Sequence, residues 1–225
     1  MGKIIILPET TTLPITTIGR MAGVCWGADI TDDKKNYQRG LDCIEANHGR
    51  ALEYVNVVMI IDGYSARVIR EWYTHIGGSP TRLQSSTRYI DYKNFYYITP
   101  PSIKNNETAK TLYDSTMKSI SNVSTALKKL GLPTEDIAML LPLGMATMVC
   151  DQRNLRNLID MSRQRMCKRA YWEFRELFQD VLNGLSKISD EWKHVVDTQM
   201  KPKCEVLGFC PEKYSCGRKP KKEGR

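Results

Sequence analysis

An unbroken apolar run, Ile4-Ile5-Ile6-Leu7, is stopped by Pro8 and predicts a short strand over residues 3–7. Ile15, Ile18, Met21 and Ala22 then recur at helical spacing and predict a helix over 15–24. Asp32-Asp33 cap a second helix that carries Tyr37, Leu41 and Ile44 on one face and runs to about Ala46, with Asn47 and Gly49 as stop signals. Val55 to Ile61 is rich in β-branched residues and reads as a buried strand. Asp62-Gly63 turns it into a helix over 65–75 that ends at Gly77-Gly78. Phe95 to Thr99 predicts a further strand, stopped by Pro100-Pro101.

The second half is mostly helical. Leu112, Met117, Ile120, Val123 and Leu127 share one side of a long helix over 106–130, ended by Gly131. A helix over 133–140 with Thr134 as its N-cap, a strand over 144–150, and helices over 153–164 and 168–186 follow. Ser189-Asp190 cap a last helix to about residue 198. From Lys201 onward, charge and Gly/Pro density mark an irregular tail. The expected organisation is one domain over 1–200 and a basic, cysteine-containing tail over 201–225. Strands and helices rarely alternate as βαβ units, so the expected class is α+β, a single domain, rather than a doubly wound sheet.

Composition narrows the setting. A chain of 225 residues is long enough for a sizeable core. It has no apolar run long enough to span a bilayer, and the N-terminal apolar run is too short for a secretory signal; the expectation is a cytoplasmic protein. The net charge is +8. Eight Lys or Arg and three Glu in residues 201–225 put +5 of that in the tail and leave +3 for the other 200 residues. A mildly basic body favours small anionic ligands without arguing for nucleic acid. Seven cysteines are an odd count that speaks against a closed disulfide framework. Cys25, Cys43, Cys150 and Cys167 read as reduced core thiols. Cys204, Cys210 and Cys216, each separated by five residues, would hold a structural zinc if a fourth ligand joined them; free thiols in a basic tail are the alternative.

The usual catalytic devices are missing. There are three histidines, His48, His75 and His194, and no zinc-hydrolase spacing. Neither a dinucleotide-binding Gly-x-Gly-x-x-Gly, nor a P-loop, nor a Gly-x-Ser-x-Gly elbow occurs. Such a chain suits a reaction whose chemistry belongs to a cofactor. The segment Thr81-Arg82-Leu83-Gln84-Ser85-Ser86-Thr87-Arg88-Tyr89 supplies what a phosphate needs: hydroxyls, backbone amides at a turn and an arginine fork.

Three blocks in order carry a resemblance. Gln84-Ser85-Ser86-Thr87-Arg88-Tyr89 resembles the Ser-x-Arg-Tyr signature of flavin-dependent thymidylate synthases. Leu141-Pro142-Leu143-Gly144, Asn154-Leu155-Arg156, Arg165 and Ala170-Tyr171-Trp172-Glu173-Phe174-Arg175 follow that family's later pattern. His48-Gly49-Arg50-Ala51-Leu52-Glu53 is similar to its His-x-x-x-x-Glu. The resemblance implies an α+β fold with a twisted, mainly antiparallel sheet flanked by helices, and a homotetramer with shared active sites. It implies conversion of dUMP to dTMP, with methylenetetrahydrofolate as one-carbon donor and NADPH-reduced FAD as hydride source. Gln84, Ser85, Ser86, Thr87 and Arg88 carry over as dUMP contacts. His48, Glu53, Asn154 and Arg156 carry over to the flavin. Arg165 carries over to the pyrimidine ring, as the catalytic residue whose fixed guanidinium meets developing negative charge. It follows Asn154 by 11 residues, three helical turns, which places both on nearly one face.

The departures concern the flavin. The family's Arg-His-Arg triplet falls near Tyr73-Thr74-His75, so only His75 remains, with Arg70 and Arg82 as substitutes for the missing guanidinium groups. Asp160 stands where the family has an Asn, and when ionised it only accepts hydrogen bonds. A family His, Gln and Arg become Arg169, Tyr171 and Met148. A related enzyme that hydroxymethylates or otherwise modifies a pyrimidine nucleotide at C5 is the nearest alternative. A non-catalytic nucleic-acid-binding protein using the basic tail is the more distant one.

Overall fold

The computed structural model describes residues 2–222; Met1 and residues 223–225, and with them Glu223 and Arg225 of the basic tail, lie outside the described residues. The elements are β1 (Lys3–Ile6), α1 (Pro14–Val24), α2 (Asp33–Glu45), α3 (Gly49–Leu52), β2 (Asn56–Ser65), α4 (Ala66–Trp72), β3 (Thr81–Gln84), α5 (Pro101–Lys104), α6 (Glu107–Lys129), α7 (Thr134–Ile137), β4 (Ala146–Asn154), α8 (Leu155–Arg165), α9 (Trp172–Leu185), α10 (Asp190–Gln199) and α11 (Lys203–Leu207). A single 3-10 turn, Ala138–Leu140, follows α7. The class is α+β, with an antiparallel four-stranded sheet in the order β1-β2-β4-β3. By contacts the chain divides into two compact units. Among the described residues the first holds 2–3, 61–72 and 83–149, the second 4–60, 73–82 and 150–222. Residues past 200 cluster with the second unit rather than by themselves.

In the second unit the helix ends are closed by side chains. Glu191, nearly buried, caps α1: its Oε2 accepts from the amides of Ile15 at 2.7 Å and Thr16 at 3.0 Å, and its Oε1 from the Thr16 hydroxyl. Those amides have no partner inside a helix, and a carboxylate there also meets the positive end of the helix dipole. Asp32 caps α2 through the amides of Lys34 and Lys35, and Ser189 caps α10 through Trp192. Two glycines let α1 and α2 touch backbone to backbone. A Cβ on Gly19 would strike the Asn36 carbonyl, and one on Gly40 would strike the Ile15 carbonyl. The core is Ile15, Ile18, Val55, Leu158, Phe174 and Trp192, all without exposed surface.

In the first unit α6 is capped by Asn106, which accepts from the Ala109 amide at 3.0 Å. The strand expected over 95–99 forms a single bridge, Tyr97 to Met145. Its aromatic side chains engage α6 instead: Tyr97 donates to Asp114 at 2.9 Å and packs edge-on against Tyr113. Thr134 is the first residue of α7 rather than its cap, which falls on Pro133. The arginine-rich loop, expected to be irregular, begins with β3, which the sheet order places at an edge. That strand is polar and mostly exposed, as an edge strand protected from further pairing is.

Candidate functional site

The expected nucleotide residues lie in the first unit. Gln84 ends β3 and donates to the Thr147 hydroxyl at 3.3 Å. The Ser85 amide donates to the Met148 carbonyl at 2.9 Å, which continues the pairing with β4 past the strand end. Ser86 folds the chain into a tight turn, its hydroxyl accepting from the Arg88 amide at 3.2 Å and its carbonyl from the Ile90 amide. Thr87 is exposed at the turn. Arg88 is 66% exposed and donates from Nε to Glu135 at 2.7 Å. Beside this loop, Ser85, Tyr92, Phe95, Thr147 and Met148 line an open cavity of about 550 Å³. Burial pushes the Tyr92 hydroxyl above its ordinary range. Arg70 is exposed near the end of α4, also in this unit.

The second unit gathers most of the expected flavin residues and Arg165. Asn154 closes β4 and caps α8, accepting from the Asn157 amide at 2.9 Å. Its own side chain is nearly buried, and Gly78 lies directly on it: a Cβ there would overlap the Asn154 amide. Gly77 packs less tightly on Asn157, whose side-chain nitrogen would lie 3.2 Å from a Cβ there. The two glycines let the backbone pack directly on these two nearly buried amide side chains. Arg156 of α8 pairs at 2.6 Å with Glu53, the residue that ends α3, over 100 positions away. His48 is exposed just before α3. Arg82 turns back, donating to the Tyr73 carbonyl at 2.9 Å and stacking over the Tyr73 ring at 4.4 Å. Asp160 is exposed and near Arg163, at 3.6 Å.

Arg165 and His75 meet directly. Arg165 Nε donates to His75 Nε2 at 2.9 Å, and its guanidinium lies 4.7 Å from the Phe174 ring centre, with the His75 ring edge-on to the same phenylalanine. Burial, then the charges of Arg165 and Arg153, hold the His75 pKa down at about 4. His75 is therefore neutral at neutral pH and its Nε2 is an acceptor. A neutral imidazole orients the Arg165 guanidinium without adding a charge of its own beside it.

Below this pair lies a buried ion pair not anticipated from the sequence. Arg153 and Asp151 have fully buried side chains and form a two-pronged contact at 2.6 and 2.8 Å, while Arg153 also donates to Asn157 at 2.6 Å. Asn157 is the residue whose amide Asn154 caps, so this pair braces the start of α8 from within. Its signal was the alternation along β4: Thr147, Val149, Asp151 and Arg153 are all buried and share one face. Among the described residues, no group of three or more His, Cys, Asp or Glu converges to hold a metal ion as it stands.

Comparison with known proteins gives a consistent answer. The thymidylate synthase complementing protein family profile matches residues 7–189. A flavin-dependent thymidylate synthase of Nitratidesulfovibrio vulgaris is 30% identical over 189 residues, covering 79% of this chain and 74% of that protein. A protein of the same name from Pyrococcus furiosus is 30% identical over 173 residues, covering 74% and 69%. In fold, the chain is similar to thymidylate synthase X from Helicobacter pylori, solved with FAD and dUMP, at a TM-score of 0.68 and 16% identity over 89% of this chain and all of that one. The blocks at 48–53, 84–89 and 154–175 all fall inside the matched span, and the chain belongs to the flavin-dependent thymidylate synthase family.

Proposed function

We propose that this chain methylates dUMP to dTMP using FAD, with NADPH as reductant and methylenetetrahydrofolate as one-carbon donor. The observation that carries this reading is the family match across residues 7–189. The donor chemistry of the second unit suits FAD: the amide side chains of Asn154 and Asn157 and the Arg156 guanidinium. When bound, the flavin supplies the hydride that completes the methyl group. Arg88, with the Ser86 and Thr87 hydroxyls, is assigned to the dUMP phosphate, and Gln84 and Ser85 to the same nucleotide. Arg165, oriented by neutral His75, is assigned to the pyrimidine, where its charge favours the ionised ring. Asn154 and Arg156 are assigned to the flavin, with Glu53 orienting Arg156 and His48 nearby. Of the two substitutes for the missing arginines, Arg82 has its guanidinium committed to Tyr73, and Arg70 is exposed. His75, expected at the flavin, acts here through Arg165. Asp160 remains a flavin-side residue only if the contact donates to its carboxylate. A homotetramer with active sites completed by neighbouring chains is part of the same reading. Among the described residues no helix is long and apolar enough to cross a membrane.

Purified protein tests the flavin assignment. Saturating FAD should raise the thermal midpoint, because a ligand that binds only the folded chain stabilises it. Asn154→Ala should reduce that rise. An unchanged midpoint and an unchanged flavin spectrum would reject FAD binding.

A further inference from the structure

The three tail cysteines do not lie apart from the body. Cys204, Cys210 and Cys216 line one cavity of about 380 Å³, and the fourth cysteine on its wall is Cys167, from the turn between α8 and α9. Four of the seven cysteines thus surround one space, and all four are free thiols. The remaining three, Cys25, Cys43 and Cys150, line no part of it.

Three further features agree. In residues 201–222 the only buried side chains are Pro202, Cys204 and Cys210, so two of the three are cysteines. A segment with so little apolar burial holds a defined path only if something else ties it down. The path is tied to the body at the same place. Arg218 donates to the Met166 carbonyl at 3.1 Å, and Arg169 to the Tyr214 carbonyl at 3.1 Å, on either side of Cys167. The Cys210 amide donates to the Pro220 carbonyl at 2.7 Å, closing the last loop around Cys216. Finally, the wall is basic. Arg163, Arg169, Lys203 and Arg218 contribute to it, and Arg163 has a buried Nε with no hydrogen-bond partner among the described residues. Four thiolates around a metal carry net negative charge, and nearby guanidinium groups balance that charge.

We infer that Cys167, Cys204, Cys210 and Cys216 are the ligands of a four-thiolate metal centre that fastens the tail to the α8–α9 turn. Binding releases the thiol protons to solvent. As they stand the thiols do not converge on one point. A single zinc ion therefore requires the wall to close by cysteine rotation, whereas an iron–sulfur unit occupies a space of this kind with its ligands further apart. The shared chemistry is sulfur ligation by the same four residues.

The test is elemental analysis of the full chain purified under reducing, oxygen-free conditions. The expected result is about one zinc, or about four irons with matching acid-labile sulfide and a brown colour, per chain. Cys167→Ser and Cys210→Ser should each lose most of the metal, while Cys25→Ser keeps it. If a serine variant fails to fold, thiol counting on the unaltered protein decides: stripping the metal with a chelator should expose about four additional reactive thiols. Protein that carries neither metal and cannot take up added zinc, metal retained in both serine variants, or thiol reactivity indifferent to chelator would each overturn the inference.

Discussion

Glu135→Gln should tighten dUMP binding. Arg88, assigned to the nucleotide phosphate, is held by Glu135 at 2.7 Å, and the two side chains are 66% and 54% exposed. A phosphate arriving at Arg88 must share or displace that carboxylate and also approach its negative charge. Glutamine keeps the shape and a hydrogen-bond acceptor but removes the charge. An exposed ion pair is worth about 0.2–1 kcal/mol, so freeing Arg88 improves affinity by at most about fivefold. Arg88→Ala removes the charge-assisted contact itself and should cost about 2 kcal/mol, roughly thirtyfold. Calorimetric titration of the FAD-loaded protein reads both, with deoxyuridine as the phosphate-free control. The Glu135→Gln gain should appear with dUMP, vanish with deoxyuridine, and shrink at high salt as screening weakens the pair. If Glu135→Gln weakens dUMP binding, Glu135 positions Arg88 rather than competing for it. If Arg88→Ala costs dUMP and deoxyuridine equally, Arg88 does not hold the phosphate.

Three other predictions follow from the second unit. Arg165→Lys keeps a charge but loses the planar fork toward His75 and the substrate, so product turnover should fall at least about tenfold while NADPH oxidation by bound FAD continues; parallel loss of both half-reactions would place Arg165 in the flavin site or the fold. Arg153→Met strands the buried Asp151 carboxylate and should cost about 3–5 kcal/mol in urea denaturation, and adding Asp151→Leu should recover most of it; a single variant as stable as the unaltered chain would contradict the buried pair. Unfolded His75 takes up a proton near pH 6.5, whereas the folded chain resists until about 4. Stability should therefore fall as pH drops between those values and level off below, with a shallower fall in His75→Gln; identical thermal midpoints against pH would mean that His75 is not held neutral.

Much of this was legible where a local rule and the tertiary outcome coincide. Helices α1, α2 and α6 follow the apolar spacing that predicted them, and α2 and α10 the cap residues that predicted them, because those caps are chemistry within one turn. Legibility failed where a distant partner decides. The aromatic run 95–99 has strand propensity, but Tyr97 finds Asp114 and Tyr113 on α6 and keeps one bridge. β3 was hidden by polar residues that suit an edge. β4 was ended at Cys150 and residue 153 given to the next helix, although the alternation of Asp151 and Arg153 with Val149 was a signal for burial. The site blocks were visible as residue types. That Arg165 leans on a neutral His75, and that Arg88 is met by Glu135, depends on residues 90 and 47 positions away. Cys167 was read as an ordinary core thiol, since nothing local links it to a tail some 40 residues on.

The most direct test of the account is product formation from defined components. Protein reconstituted with FAD should convert dUMP to dTMP only when NADPH and methylenetetrahydrofolate are both present, with Arg165→Lys retaining bound flavin but losing most product. Formation of 5-hydroxymethyl-dUMP instead, or an unmodified nucleotide from protein that holds FAD and oxidises NADPH, would contradict it.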